Sequence, residues 1–441
     1  MMDPMVLGLL GLGGLAALLL LGVHIGVALM LVGIVGIAAI VGLEVAMGMA
    51  ASTVYHTVAA YELITIPLFI LMGYLACAGG ISGDVFKSIN DWLGRLKGGI
   101  GTSTVMSCTA FGAVCGSSLV TASVFSRLCA PEMRKLGYDK RIAYGICASG
   151  GMIGMLIPPS ILMVVYGVLS GESIGKLLIA GVTPGIMLML AFSLVIVAIA
   201  YFRHDLIKPG GPAEIVPLGR RLLDLFKIWQ VWFVAIVIFG GIFGGIFNPT
   251  EAAAVASAFL IVLLGLTKFR DLRAIFPEAF RETASTTSMI FLVMAGAAVF
   301  AQFLVLTGTA ATIVSWLQSL ELSTMGFIVA IVVFYAVLGC FLDSISMLSI
   351  TVPILNPLVQ AMGVDTIWYA VIVIMAVEAG LLTPPVGLNV YGAYAVAEDD
   401  VRLEEIFSGI IPFFLATWMV IVVLILFPGL STGLPNLMMS N

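Results

Sequence analysis

Apolar stretches long enough to cross a bilayer as helix, about 20 residues each, recur along the whole chain. They occupy 5–22, 24–42, 62–78, 142–167, 177–202, 228–246, 251–267, 283–304, 368–397 and 407–428. A soluble fold of 441 residues could not hide them, since 61% of the chain is hydrophobic and only 10% charged. An all-α polytopic membrane protein follows, because in lipid a helix satisfies its own backbone. The first run has no basic leader and no cleavage site before the second begins, so it reads as a retained crossing rather than a signal peptide. Six cysteines, with no CxxC spacing, read as buried small side chains rather than metal ligands or disulfides.

Basic residues fix the expected orientation. Lys and Arg gather at 87–97, 127–141, 203–227 and 268–281, which are expected on the cytoplasmic side. The stretches 43–61, 247–250, 305–322 and 359–367 carry none and are expected outside. This path makes ten crossings with both termini outside. It leaves 100–128 entering and leaving on the cytoplasmic side, and 323–358 entering and leaving outside. Both read as re-entrant hairpins.

Two phrases recur, "LIPPSILMVVYG" at 156–167 and "LLTPPVGLNVYG" at 381–392. Pro158/Pro159 and Pro384/Pro385 stand 226 positions apart, as do Pro131 and Pro357, and "DWLGRL" at 91–96 answers "SWLQSL" at 315–320. The chain therefore divides into a first repeat over 1–202, a charged cytoplasmic linker over 203–227 and a second repeat over 228–441. Five crossings precede the second copy, so it enters the membrane inverted, the pattern of secondary transporters. Each Pro-Pro removes N–H groups and frees carbonyls, breaking the helices of 142–167 and 368–397 near the midplane. Freed carbonyls suit a cation and the opposing N–H groups an anion.

The hairpin tips, "GAVCGSSLVTAS" at 112–123 and "GCFLDSISMLS" at 339–349, align at the same offset. Ser117 then corresponds to Asp343 and Ser118 to Ser344. Oxygen ligands beside glycine suit a hard cation, and two pseudo-symmetric sodium sites are expected, one per half. Asp343, a carboxylate in a membrane hairpin, reads as an ion ligand or proton carrier. Small hydroxyl residues also serve ordinary helix packing. Glu378 either orients the unwound backbone or contacts a ligand. Glu251 reads as a helix-start residue, His24 as a solvated or packed turn residue, and His56 as part of an outer loop. Residues 84–98 place Val85, Ile89, Trp92, Leu93 and Leu96 on one face of an amphipathic interfacial helix that either lies on lipid or braces a partner subunit.

"IPLFILMGYL" (66–75), "GAVCGSSLVTASVF" (112–125), "APEMRKLGYDKRIA" (130–143), "GMLIPPSIL" (154–162), "FNPTEAAAV" (247–255) and "EAGLLTPPVGLNVY" (378–391) together resemble the large membrane subunit of tripartite ATP-independent periplasmic (TRAP) transporters. The resemblance runs nearly end to end. It implies a bacterial inner-membrane protein of inverted-repeat, elevator type that imports a small organic anion on a sodium gradient. The candidate cargoes are C4-dicarboxylates, sialic acid or a similar carboxylate. It implies three partners besides lipid: a small four-helix membrane subunit, a periplasmic substrate-binding protein and the solute. On that analogy one sodium site comprises Gly116, Ser117, Ser118 and Pro158, and the other Asp343, Ser344, Thr383 and Pro384. Thr121, Ser160, Gly387 and Asn389 are the candidate solute contacts. The chain departs from the family in carrying His24 where proline is common. Because it begins at its first crossing, the small subunit is expected as a separate polypeptide.

No catalytic chemistry and no nucleic-acid partner is expected, and no GxxxxGK[ST] phosphate loop is present. The chief rival is an autonomous anion symporter or antiporter of related architecture. An intramembrane hydrolase using Asp343 lacks a second catalytic group, and a channel suits two inverted broken halves less well than alternating access.

Overall fold

A computed structural model describes residues 3–208, 217–319 and 323–438, and among them all regular structure is helical. The first part runs through α1 (Pro4–Leu20), α2 (Ile25–Val41), α3 (Leu43–Val58), α4 (Thr65–Ala78) and α5 (Ile81–Leu93). A hairpin follows, α6 (Gly99–Cys115) and α7 (Ser118–Lys135), then a helix interrupted at Pro158/Pro159, α8 (Lys140–Ile153) and α9 (Ile161–Ser170). α10 (Ile174–Ala180) and α11 (Val182–Phe202) close this part.

The order then recurs. After α12 (Leu218–Lys227) and the short α13 (Trp229–Ala235) and α14 (Gly241–Phe243) come α15 (Pro249–Thr267), α16 (Leu272–Leu306) and α17 (Thr309–Ser319). A second hairpin, α18 (Thr324–Gly339) and α19 (Ser344–Ala361), precedes a second interrupted helix, α20 (Thr366–Gly380) and α21 (Leu388–Tyr394). α22 (Leu403–Leu426) and α23 (Gly429–Met438) complete the chain. Of the "SWLQSL" phrase, Leu320 falls outside the described residues.

Several expectations are corrected. Among the described residues six helices are long and apolar enough to cross a membrane unaided, or seven if the pair 218–227 and 229–243, bent by 52°, counts as one. The stretches 5–22 and 24–42 are single helices of 17 residues each, while 142–167 and 368–397 are interrupted at their Pro-Pro pairs. α19 is itself one of the six, although it lies in a segment expected to turn back. The outer stretches 43–61 and 305–322 contain the helices α3 and α17 instead of loops, with His56 in the last turn of α3. α5 ends at Leu93, before Leu96, and turns Val85 inward while Trp92 faces out. Its inner face is occupied by α6 and α12, where Ser88 Oγ donates to the Asp224 carbonyl at 2.7 Å. Glu251 does begin a helix: its N–H donates to Asn248 Oδ1 at 2.8 Å and its carboxylate accepts from the Asn248 N–H at 2.9 Å. His24 caps α2, Nδ1 accepting from the Gly26 N–H.

Two apolar cores result. The smaller joins α1, α2 and α3 to the C-terminal half of α16, through Leu15, Leu29, Ile37 and Ala46 against Phe300 and Phe303. The larger holds both hairpins and both interrupted helices. Within it, each hairpin packs its first arm on the interrupted helix of its own half, α6 on α8 and α18 on α20. The second arms bridge the halves: α7 packs on α8 of its own half and also on α21, and α19 on α9 and also on α20. Ser123 Oγ of α7 donates to the Gly392 carbonyl at 2.9 Å, and Asn356 Nδ2 of α19 donates to the Ser170 carbonyl at 3.1 Å. At one end of the molecule the exchange is reinforced by charge. Arg134 forks onto Asp400 at 2.7 and 2.9 Å and also pairs with Glu398, while Lys140 pairs with Glu405 at 2.9 Å. The Arg134 guanidinium holds the Asp400 carboxyl below its usual range, so this contribution is present at neutral pH and is lost as pH falls through the lowered value.

Glycine sets the distance at which the first arms pack. A Cβ built on Gly112 would stand 2.2 Å from Gly154 Cα, and one on Gly339 would stand 2.6 Å from Gly380 Cα. These two contacts occupy corresponding places in the two halves and leave no room for a methyl group. Gly380→Ala should therefore destabilise the folded chain by about 1–3 kcal/mol through overpacking. Gly265→Ala, where nothing stands within 4 Å, should be neutral or slightly stabilising, since alanine is the better helix former. Thermal unfolding of both variants in one detergent measures the difference.

Candidate ion and solute site

The tips of the hairpins and the interruptions of the helices meet. α6 ends at Gly116, whose φ of +64° suits glycine, and a Cβ there would lie 2.8 Å from the Pro159 carbonyl oxygen. The first tip is thus pressed against the first interruption. In the second half the Val386 N–H donates to the Cys340 carbonyl at 3.3 Å, tying the second interruption to the second tip. The Pro158–Pro159 and Pro384–Pro385 peptide bonds are both cis.

Four of the expected site residues begin helices here. Ser117 caps α7, accepting from the Val120 N–H at 3.4 Å, and Asp343 caps α19 at the corresponding position. Asp343 Oδ2 accepts from the Ile345 and Ser346 N–H groups at 3.1 Å each, and Ser346 Oγ donates to Oδ1. The negative cap and the positive end of α19 stabilise one another. Ser160, fully buried, caps α9 by accepting from the Met163 N–H and donates its own hydroxyl to the Met155 carbonyl. Gly387, at φ +57°, opens α21 in the equivalent place. Thr383 differs in that its hydroxyl bonds back to the Ala379 carbonyl at 3.1 Å.

A group of buried polar atoms has no such partners. Thr121 Oγ1, Ser149 Oγ, Glu378 Oε2 and both side-chain polar atoms of Asn389 lack a hydrogen bond. Glu378 is fully buried and its other oxygen accepts from Ser344 Oγ at 3.3 Å. Ser118 and Asn389 also face the carboxylate, so Glu378 connects the tips of both hairpins. Unpaired buried polar atoms also occur elsewhere among the described residues, at Tyr166, Ser349 and Ser431 for example; those of Glu378 and Asn389 differ in facing one another between the two tips. The cysteines do not contribute: all six are free, and no cluster of three His, Cys, Asp or Glu side chains suited to a metal occurs among the described residues. Sequence reasoning missed Ser149 and the glycine pairs beneath the tips, although the glycines of each pair sit at the repeat offset to within one position.

Ser160→Ala removes a helix cap and leaves the Met155 carbonyl without its partner. The variant should lose about 1–2 kcal/mol of stability, read as a lower unfolding temperature; an unchanged midpoint would mean that the cap is energetically idle.

Residues 12–430 match the family model described as "Tripartite ATP-independent periplasmic transporter, DctM component". The C4-dicarboxylate TRAP transporter large permease protein of Pseudomonas aeruginosa is 32% identical over 88% of this chain and 89% of its own. The ectoine TRAP large permease protein of Halomonas elongata is 32% identical over 85% of this chain and 86% of its own, and the sialic acid protein of Vibrio cholerae 29% over 89% and 90%. Among solved structures, the Alcanivorax borkumensis YdaH transporter superposes with a TM-score of 0.63 at 14% identity, covering 89% of this chain and 90% of its own. That likeness concerns the fold. The chain belongs to the family of DctM components, the large permease subunits of tripartite ATP-independent periplasmic transporters, multi-pass proteins of the bacterial inner membrane.

Proposed function

We propose that this subunit imports a small organic anion by sodium-coupled alternating access, receiving it from a periplasmic binding protein and working with a small membrane subunit. The observation that carries this reading is the crossover of the hairpins. Each second arm packs against both interrupted helices, α7 between α8 and α21 and α19 between α9 and α20, so the two hairpins and two interrupted helices form one body that can travel as a unit. That is the requirement of an elevator. The two halves enter the membrane inverted in this reading, as the expected charge distribution of the loops requires.

Sodium is held at the two tips. Gly116, Ser117, Ser118 and the carbonyl region of Pro158 supply oxygens in the first half; Asp343, Ser344, Thr383 and Pro384 supply them in the second. The cap uses both lone pairs of Asp343 Oδ2 and one of Oδ1, which leaves one lone pair on Oδ1 for an ion. Thr121, Ser160, Gly387 and Asn389 line the solute position between the tips. Relatives named for C4-dicarboxylates, sialic acid and ectoine point to a carboxylate-bearing solute, and the binding protein contributes to the choice.

Proteoliposomes holding this chain and its small partner, tested with and without the cognate binding protein, decide the matter. Uptake should require both an inward sodium gradient and the binding protein. Uptake without the binding protein would instead establish an autonomous symporter. Asp343→Asn, which keeps a capping side chain and removes the charge, should raise the sodium concentration for half-maximal uptake by about tenfold or more. Unaltered sodium dependence would remove Asp343 from the ion site.

A further inference from the structure

Glu378 and Asn389 break the symmetry of the repeat. The residues 226 positions earlier are Met152 and Met163, both apolar and fully buried. Packing at these two places is therefore compatible with apolar side chains, and the polar pair in the second half needs a reason of its own. Both side chains are completely buried, and among the described residues no ion pair reaches the carboxylate. Glu378 Oε2 and both polar atoms of Asn389 are without hydrogen bonds although they face one another. A carboxylate with a single hydroxyl partner in such surroundings is stable only when a cation or a proton neutralises it.

We propose that Glu378 and Asn389 hold a third sodium ion between the two tip sites, sharing the Ser118 and Ser344 hydroxyls with those sites and setting Asn389 at the border of the solute position; the proposal rests on the sodium-coupled reading above. Four neutral or anionic oxygens converge there from four elements: α20, α21 and the first residues of α7 and α19. Hard oxygen ligands of this kind suit a small hard cation. Ser118 and Ser344 occupy corresponding positions in the two hairpins, so the ion is coordinated by both halves at once. It acts as a pin between the tips: each hairpin is held closed only when the other is also in place.

The test is sodium binding by the purified full chain in nanodiscs, measured with radioactive sodium at saturation, without any solute or binding protein. Glu378→Gln, of nearly the same volume, should bind one ion fewer per chain than the unmodified protein. Asp343→Asn should also lose one, and the double variant two. If Glu378→Gln misfolds, Asn389→Ala decides: the affinity for one ion should fall about tenfold, in the range of lost ligand support. Full stoichiometry in Glu378→Gln, or unchanged affinity in Asn389→Ala, while Asp343→Asn loses its ion, would overturn this site and leave the sodium-coupled reading standing. No saturable sodium binding in any form would overturn both.

Discussion

A helix interrupted in the interior of a membrane protein must find partners for the backbone groups that the interruption frees. The described structure meets that demand by placing the end of a hairpin against each interruption. Gly116 lies against the Pro159 carbonyl, and the Val386 N–H bonds to the Cys340 carbonyl. The close approach depends on glycine on both sides of the crossing, at Gly112 and Gly154 in one half and at Gly339 and Gly380 in the other. Once a tip is fixed to an interruption, the second arm of the hairpin is committed to run past it. In each half it then also meets the second segment of the opposite interrupted helix, α21 or α9.

This exchange accounts for the division of the apolar interior. α1, α2 and α3 reach the rest of the molecule chiefly through α16, whose long span serves both the small core and the large one. The interlocked hairpins and broken helices share a continuous core with α4, α11, α15, α22 and the first half of α16. Polar contacts across the halves, from Ser123, Asn356, Arg134 and Lys140, are spread over that unit rather than gathered at one place. The ionic contacts lie at an exposed end, where each is worth little alone. The buried contacts and the apolar surface fix the geometry.

The sequence made the interruptions readable because proline has a fixed backbone cost wherever it falls, and the constant spacing of Pro158 and Pro384 exposed the repeat. The capping role of Glu251 was legible for a similar reason: Asn, Pro and Glu at set spacing can do little else. Helices α3 and α17 were hidden because the absence of Lys and Arg reports side of the membrane and not backbone conformation. The inward turn of Val85 and outward turn of Trp92 depended on α12, more than a hundred residues away in sequence. The crossover of α7 and α19 could not be seen at all, since the same hydrophobic pattern serves either interrupted helix. The correspondence of Met152 and Met163 with Glu378 and Asn389 follows from the repeat offset of 226, but that the polar pair is buried and unpaired depends on the packing of both hairpin tips.

The central claim is that the two hairpins and the two interrupted helices form one body that moves without internal rearrangement. A disulfide between Ser123→Cys on α7 and Gly392→Cys on α21 tests it directly, because a Cβ at Gly392 would stand 3.0 Å from Ser123 Oγ, within reach of a bridge. Sodium-driven uptake should persist when this bridge is formed under oxidising conditions. Uptake that stops on oxidation and returns on reduction would show that α7 and α21 must separate during transport, and would contradict the single-body account.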